Sequence, residues 1–508
     1  MLVIAQVLAY RELEDRFRRM ALLRSVEDIL HWDTAAMMPD SAAEARAEQL
    51  AMLRVLHHEQ LADPKLEELL DIAEHERRTE GDALDGWQQA NLVEMRRMWI
   101  HGASVPRDLV EAHSRACSAC ETTWRSARPA SDFERVAPLL TEVLKLTREV
   151  AQARVERLKT SPYEALLDEH DPGMRCEVID PLFDDLADYL PGLLERVLEA
   201  QARRGEPLPL EGPFEVDAQR SLGRSLMRVV GFDPEQGRLD ESHHPFCGGT
   251  PDDVRITTRY DSEDFASGLM GVLHETGHAL YQQGLPKRWR HQPVGEPRGM
   301  GLHESQSLLI EMQACRSRAF IAFAAPRIRE AFGREGDAWT TENLHRHYRR
   351  VAPGYIRVDA DEITYPAHVI LRYRLEKAMI SGDLAIADLP GAWGEGMQSL
   401  LGLEVPDHRR GCLQDIHWFD GAFGYFPSYT LGAMTAAQLF RTATERDGSI
   451  AAGIEAGDFR PLVAWLRDNV HALASRYGTR ELVEKATDTG LDIRHYKAHL
   501  EERYLEDA

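Results

Sequence analysis

The pentapeptide His274-Glu275-Thr276-Gly277-His278 constrains this chain more than any other stretch. On a helix, residues at i and i+4 share a face, so two imidazoles can grip one metal ion. The glutamate beside the first histidine then projects toward the water at that ion. The flanks suit a helix. Asp261 or Ser262 can cap its start, and Glu263 and Asp264 in its first turn complement the positive end of the helix dipole. Leu269, Val272, Leu273, Ala279 and Leu280 give it surface to bury, and Gly284 followed by Pro286 stops it. The plainer alternative is a pair of surface histidines on an ordinary helix.

A catalytic zinc site takes three protein ligands and keeps one position open. A third histidine six residues beyond His278 would complete one pattern, but Gly284 stands there. Glu304 is the best candidate, 26 residues past His278 and after a Gly/Pro-rich loop over 284–301. Its segment, GLHESQSLLIEMQ, reads as a second helix with Glu304, Leu308 and Glu311 on one face. His303, Glu296 and Glu311 are rival ligands. In such a site Glu275 takes a proton from the attacking water and passes it to the leaving amine. The oxyanion needs a donor. His417, Tyr425 and Tyr429, in GCLQDIHWFDGAFGYFPSYTLG, are the candidates, each against the alternative of an aromatic packed in the core.

The rest of the chain reads mostly as helix. Asp63-Pro64 is a start signal, followed by Leu66, Leu69, Leu70 and Ala73 on one face. Asp180-Pro181 repeats that signal before Phe183, Leu186 and Leu190, and Leu140, Val143, Leu144, Thr147 and Val150 form another stripe. Strand signals are few. Val254, Ile256, Thr258 and Tyr260 alternate with Arg255, Thr257 and Arg259, and Ile356 and Val358 alternate with Arg357 and Asp359. An arginine-bearing face suits a sheet that lines a cleft. With no internal repeat and no long linker, residues 1–508 read as one large helical unit with a minor sheet, with room for two lobes around a groove.

Composition narrows the partners. The net charge of −24 argues against a nucleic-acid partner. No apolar run approaches the ~18 residues that span a bilayer, which points away from a membrane. The opening MLVIAQVLAYRELEDRF lacks the features of a signal peptide and reads as the first turns of an amphipathic helix. Six cysteines are sparse for a disulfide scaffold and fit a reduced, cytoplasmic setting. Cys117 and Cys120 form a CxxC without a second such pair, which reads as core thiols.

Several ordered motifs then resemble the carboxypeptidase Taq family of HExxH metallocarboxypeptidases, nearly end to end. They are HWDTAAMMPDSAAEARAEQL from His31; His244-Pro245-Phe246, matching HPF; and Asp253, Arg255 and Thr257, matching DxRxT. The zinc helix follows, then His303, Glu304, Ser305 and Gln306, matching HESQ. Ile356, Arg357, Ala360 and Asp361 match IRxxAD, and Gly411, Gln414, Asp415, His417 and Trp418 match GxxQDxHW. The resemblance implies a mostly α, neurolysin-like fold with a deep substrate groove and a small sheet near the active site, commonly a homodimer. It implies release of single residues from peptide C-termini with broad preference, using one divalent ion per chain, Zn or Co. Glu304 is then the third ligand with His274 and His278, and Arg357, with Arg255, meets the substrate's C-terminal end. Guanidinium suits a carboxylate through paired hydrogen bonds, against the alternative of a structural salt bridge. His244 and Tyr429 join them as substrate-side candidates. Leu308 and Ile310 stand where well-known members carry Arg and Trp, so the wall beside the metal differs and substrate preference does not transfer.

Two competing readings remain. An oligopeptidase or dipeptidase would use the same chemistry on other bonds, and an inactive scaffold would only bind peptides.

Overall fold

The computed structural model describes residues 2–79 and 84–505, with side chains described from 9 to 78 and from 84 to 505. Helices dominate it, and they form where one-sided apolar stripes meet start signals. Asp63 accepts a hydrogen bond from the Lys65 N–H, and the helix Pro64–Thr79 follows. Its Leu66, Leu69, Leu70 and Ala73 are buried against Leu13 and Phe17 of the long first helix and Leu92 and Met95 of the helix Gly86–Ala103. The first helix, Leu2–Ala36, pairs with Ala43–Leu61 as a hairpin tied by Arg54 to Glu27 and Arg46 to Asp33. The first apolar side chains of the sequence lie outside the described ones.

Two expectations need correction. The helix expected to start at Asp180-Pro181 begins earlier, as Cys176–Arg204, with Pro181 inside it. Arg175 is extended and its carbonyl receives the N–H groups of Val178 and Ile179, while the buried Ile179 anchors this first turn. Proline's missing N–H costs the helix one internal bond there without ending it. The alternation around Ile356 is no strand. Arg357–Asp359 is a single 3₁₀ turn, because the Arg357 N–H is taken by the Gln414 side chain at 2.8 Å rather than by a neighbouring strand.

Among the described residues there is one small sheet, ordered β1 (Gly237–Glu241), β3 (Asp253–Thr258), β2 (Phe246–Thr250). β3 runs parallel to β1 and antiparallel to β2. Its Val254 and Ile256 pack under Val272 and Ala279 of the HETGH helix, while Arg255, between them, turns to the opposite face as the two-residue period of a strand requires. The sheet thus backs the helix that carries the HETGH sequence.

Two large cores fill the described residues, and the HETGH helix buries Phe265, Leu269, Leu273 and Leu280 in one of them. The helix Pro427–Arg446 bridges them, placing Leu431, Met434 and Ala437 in one and Ala436, Leu439 and Ala443 in the other. No helix among the described residues is long and apolar enough to cross a membrane. All six cysteines are free thiols, with Cys117 and Cys120 buried.

Candidate metal centre and peptide groove

The HETGH helix spans Phe265–Gly284. Its cap is Asp264, which accepts from the Ala266 and Ser267 N–H groups, not Asp261 or Ser262. The correction has a local cause: Asp261 caps the turn before it, accepting from the Glu263 N–H. Glu263 and Asp264 therefore precede the first turn. Mid-helix, His274 and His278 turn their Nε2 atoms to one carboxylate, Glu304, at 3.8 and 3.5 Å.

Glu304 comes from the helix Gly299–Leu308, which lies against the HETGH helix. Two glycines allow this approach. A Cβ on Gly277 would stand 2.5 Å from the Gln306 carbonyl oxygen, and one on Gly432 would stand 2.8 Å from the Glu304 Cβ. Glu304 is thus held between two helices that touch it only because those positions lack side chains.

The donor atoms of His274, His278 and Glu304 lie within 4.8 Å of one another, the one such group among the described residues. Two ligands about 2.0–2.1 Å from a tetrahedral ion stand about 3.4 Å apart, so the histidine–carboxylate separations fit one ion. The electrostatics agree. Burial alone would lower the His274 pKa, but Glu304 and Glu311 override it and push it up to about 10. Burial likewise opposes ionisation of Glu304, yet His274 and His278 hold its carboxyl below the ordinary range. A centre that draws protons in this way is built for positive charge. Glu275 is 7% exposed beside them, and burial raises its pKa against the pull of His278 and His274.

An outer layer of polar groups meets these candidate donors. The His274 Nδ1 lies 2.9 Å from Glu311, whose other oxygen accepts from Arg316 at 2.6 Å. Glu311 reaches it because the Glu304 helix passes into a π-helical segment, Leu309–Cys315. Such wide turns recur at functional sites, where they re-aim side chains. Of the rival candidates, Glu311 and His303 approach the outer nitrogens of His274 and His278, the latter at 2.6 Å. Glu296 lies outside the cluster and lines a neighbouring cavity.

The widely separated IRxxAD and GxxQDxHW motifs meet on one wall. Arg357 donates through Nε and Nη2 to Asp415 at 3.1 and 2.8 Å, and through Nη1 to the Tyr365 hydroxyl at 2.7 Å. Asp415 also holds Arg372 at 2.6 Å, and this pairing outweighs burial to keep its carboxyl well below the ordinary range. Arg357 itself is 5% exposed, its guanidinium flanked by the Tyr365, Phe426 and Tyr429 rings. Tyr425 and Tyr429 stack edge to face, 5.3 Å between centroids, near enough to Glu304 to feel its charge. His417 packs on Phe426. Burial pushes its pKa down to about 4 against the pull of Asp415, so it is a neutral ring. Buried Glu376 pins the loop of these aromatics, accepting from Trp418 Nε1 at 2.8 Å and the Gly424 N–H at 3.1 Å.

Arg255 lies elsewhere, paired with Asp253 and stacked over Trp32 at 4.0 Å. That contact joins the HWDT and DxRxT motifs. His244 is exposed on the turn before β2. A cavity of about 270 Å³ opens beside His274 and Glu304, walled by Leu308, Met312, Tyr365 and Ala433. On the other side a cavity of about 660 Å³ runs past His303 and Gln282 to Arg24 and Asp28 on the first helix. Sequence reasoning missed Tyr365 and the orienting role of Glu311. The first carried a faint signal, since it follows the IRxxAD motif by four residues; the second depends on the π segment, which no local pattern announces.

Comparison with known proteins matches this arrangement to one family. The model of the carboxypeptidase Taq (M32) metallopeptidases matches residues 12–504. Thermostable carboxypeptidase 1 of Thermus thermophilus is 39% identical over 505 residues, covering 98% of each chain. Metallocarboxypeptidase 1 of Trypanosoma cruzi superposes with a TM-score of 0.95 at 40% identity, over 98% of this chain and 99% of that one. The M32 carboxypeptidase of Deinococcus radiodurans superposes with a TM-score of 0.92 at 34% identity, over 98% of both.

Proposed function

The chain belongs to the carboxypeptidase Taq (M32) metallopeptidase family and is a metallocarboxypeptidase, and we propose that His274, His278 and Glu304 hold its single divalent ion. The convergence of these three donors beside buried Glu275 is the observation that carries this reading. A two-histidine, one-carboxylate set favours zinc, with cobalt able to take the same ligands. Held there, such an ion would supply Lewis acidity to the scissile carbonyl and the attacking water.

The chain's own groups do the rest. Glu275 accepts the water proton on a carboxylate oxygen and returns it to the leaving nitrogen. The raised pKa of its carboxyl suits both halves of that transfer. Tyr425, with Tyr429 and His417 behind it, donates to the developing oxyanion. Arg357 recognises the C-terminal carboxylate together with the Tyr365 hydroxyl it already holds: a guanidinium has five N–H donors, and Asp415 and Tyr365 engage three of them. The walls of the cavity beside Glu304, among them Leu308, Met312 and Ala433, suit an apolar terminal side chain.

The homodimer and the cytoplasmic setting belong to the same reading. The first is supported by the apolar side chains of Leu22, Val26, Met52 and Val55, exposed on the N-terminal hairpin, and the second by the free thiols.

A timed digest of one peptide as free acid and as C-terminal amide tests the proposal. Stepwise loss of residues from the free acid, with the amide resistant, is the expected result. Equal cleavage of both would remove the carboxylate-binding role from Arg357 and leave an oligopeptidase.

A further inference from the structure

The two histidines of the HETGH helix are oriented by different chemistry. Both turn Nε2 toward Glu304, so in each ring Nδ1 is the outer nitrogen. A neutral imidazole carries one proton, and a ring that offers the Nε2 lone pair to an ion must hold that proton on Nδ1. His274 gives its Nδ1–H to the Glu311 carboxylate, a group that can only accept. The Nδ1 of His278 meets no carboxylate among the described residues. Its Nδ1 lies 2.6 Å from the Nδ1 of His303, a ring that can accept or donate.

With the Nε2 lone pairs of His274 and His278 given to an ion, one assignment satisfies all three rings. If His278 donates, the His303 Nδ1 must accept, so the proton of His303 is on its Nε2. That nitrogen lies 3.1 Å from the Gln282 Nε2 as placed, so the amide must turn over to present its oxygen. Amide orientation follows from the network in this way rather than from atom positions. Gln282 lies four residues beyond His278 on the same helix, on the same face.

We infer that His303 is a positioning residue: it fixes His278 in the Nδ1–H tautomer that frees Nε2, and Gln282 fixes His303 in turn. This rests on the ligand assignment above and adds a role for the histidine of the HESQ segment. His303 cannot be a ligand of the same ion, because it meets the nitrogen of His278 that points away from Glu304.

The test is zinc affinity by competition with a chromophoric chelator, on the full chain, beside the melting temperature of the metal-free protein. Removing such an outer partner typically weakens binding about 10- to 100-fold, which is the rise in Kd expected for His303→Leu. His303→Asn keeps an acceptor where Nδ1 stands, and should stay within about threefold of wild type. Metal-free melting should be unchanged in both. Gln282→Met removes the oxygen that sets the His303 tautomer, and should raise Kd about three- to tenfold even if His303→Leu fails to fold. Wild-type affinity in His303→Leu, equal weakening in His303→Asn, or wild-type affinity in Gln282→Met would overturn the proposal. His278→Ala separates the two readings: tight zinc binding in that variant would overturn the ligand assignment itself.

Discussion

Glu275, the carboxylate next to His274 in sequence, is not one of the clustered donors. That separates binding from proton transfer at a single residue. Glu275→Gln should lower kcat/KM by about 10²- to 10⁴-fold, the usual contribution of general acid–base catalysis, with zinc affinity unchanged. A peptidase assay paired with metal titration checks both halves. Glu311→Gln should do the reverse. It weakens the contact to His274 and leaves Arg316 short of its carboxylate, so zinc affinity should fall about 10- to 100-fold, read by chelator competition. The residues of the HETGH sequence were legible because their geometry is local to one helix. Arg357 was legible as an arginine near chemistry, but its ties to Asp415 and Tyr365 were not. Asp415 lies 58 residues further along the chain, and no spacing rule spans that distance.

At the scale of elements, close helix approach places the third donor. Gly432→Ala would put a Cβ 2.8 Å from the Glu304 Cβ, and overpacking of this kind costs about 1–3 kcal/mol. A lower urea midpoint together with weaker zinc binding is expected, whereas an alanine at Gly192, which meets nothing within 4 Å, should leave zinc binding alone. The last helix, Ile493–Tyr504, docks through Glu362, which accepts from His499 at 2.7 Å and Arg503 at 3.0 Å. Burial would raise the Glu362 pKa, but Arg503 and His499 outweigh it and hold the carboxyl well below the ordinary range. The folded pKa therefore lies below the unfolded value of about 4.3. Stability from this pairing is full above that pH and drains as pH falls through it toward the folded pKa. Glu362→Gln should cost about 3–5 kcal/mol near neutrality, and its urea midpoint should fall less steeply than that of wild type below about pH 4.5. Helix stripes such as Leu66–Ala73 were legible as elements. The 3₁₀ turn at Arg357 was not, because alternation in sequence cannot show whether a partner strand exists.

Over the whole molecule, the mostly helical class and the central strand of the small sheet could be read from periodicity, and the family from motif order. The packing that makes a site could not. Trp32 on the first helix stacks over Arg255 on β3, and the Gln414 and Asp415 side chains gather Arg357 and Arg372; both arrangements arise only when distant segments close around the groove. We read residues 1–508 as one catalytic unit whose two cores flank that groove, with its ion bound at the junction. Metal content and turnover in two variants test this most directly. Glu275→Gln should retain one zinc per chain and release C-terminal residues about 10²- to 10⁴-fold more slowly, while Glu304→Ala should lose both zinc and activity. Full zinc occupancy in Glu304→Ala, or wild-type release of terminal residues by Glu275→Gln, would contradict the account.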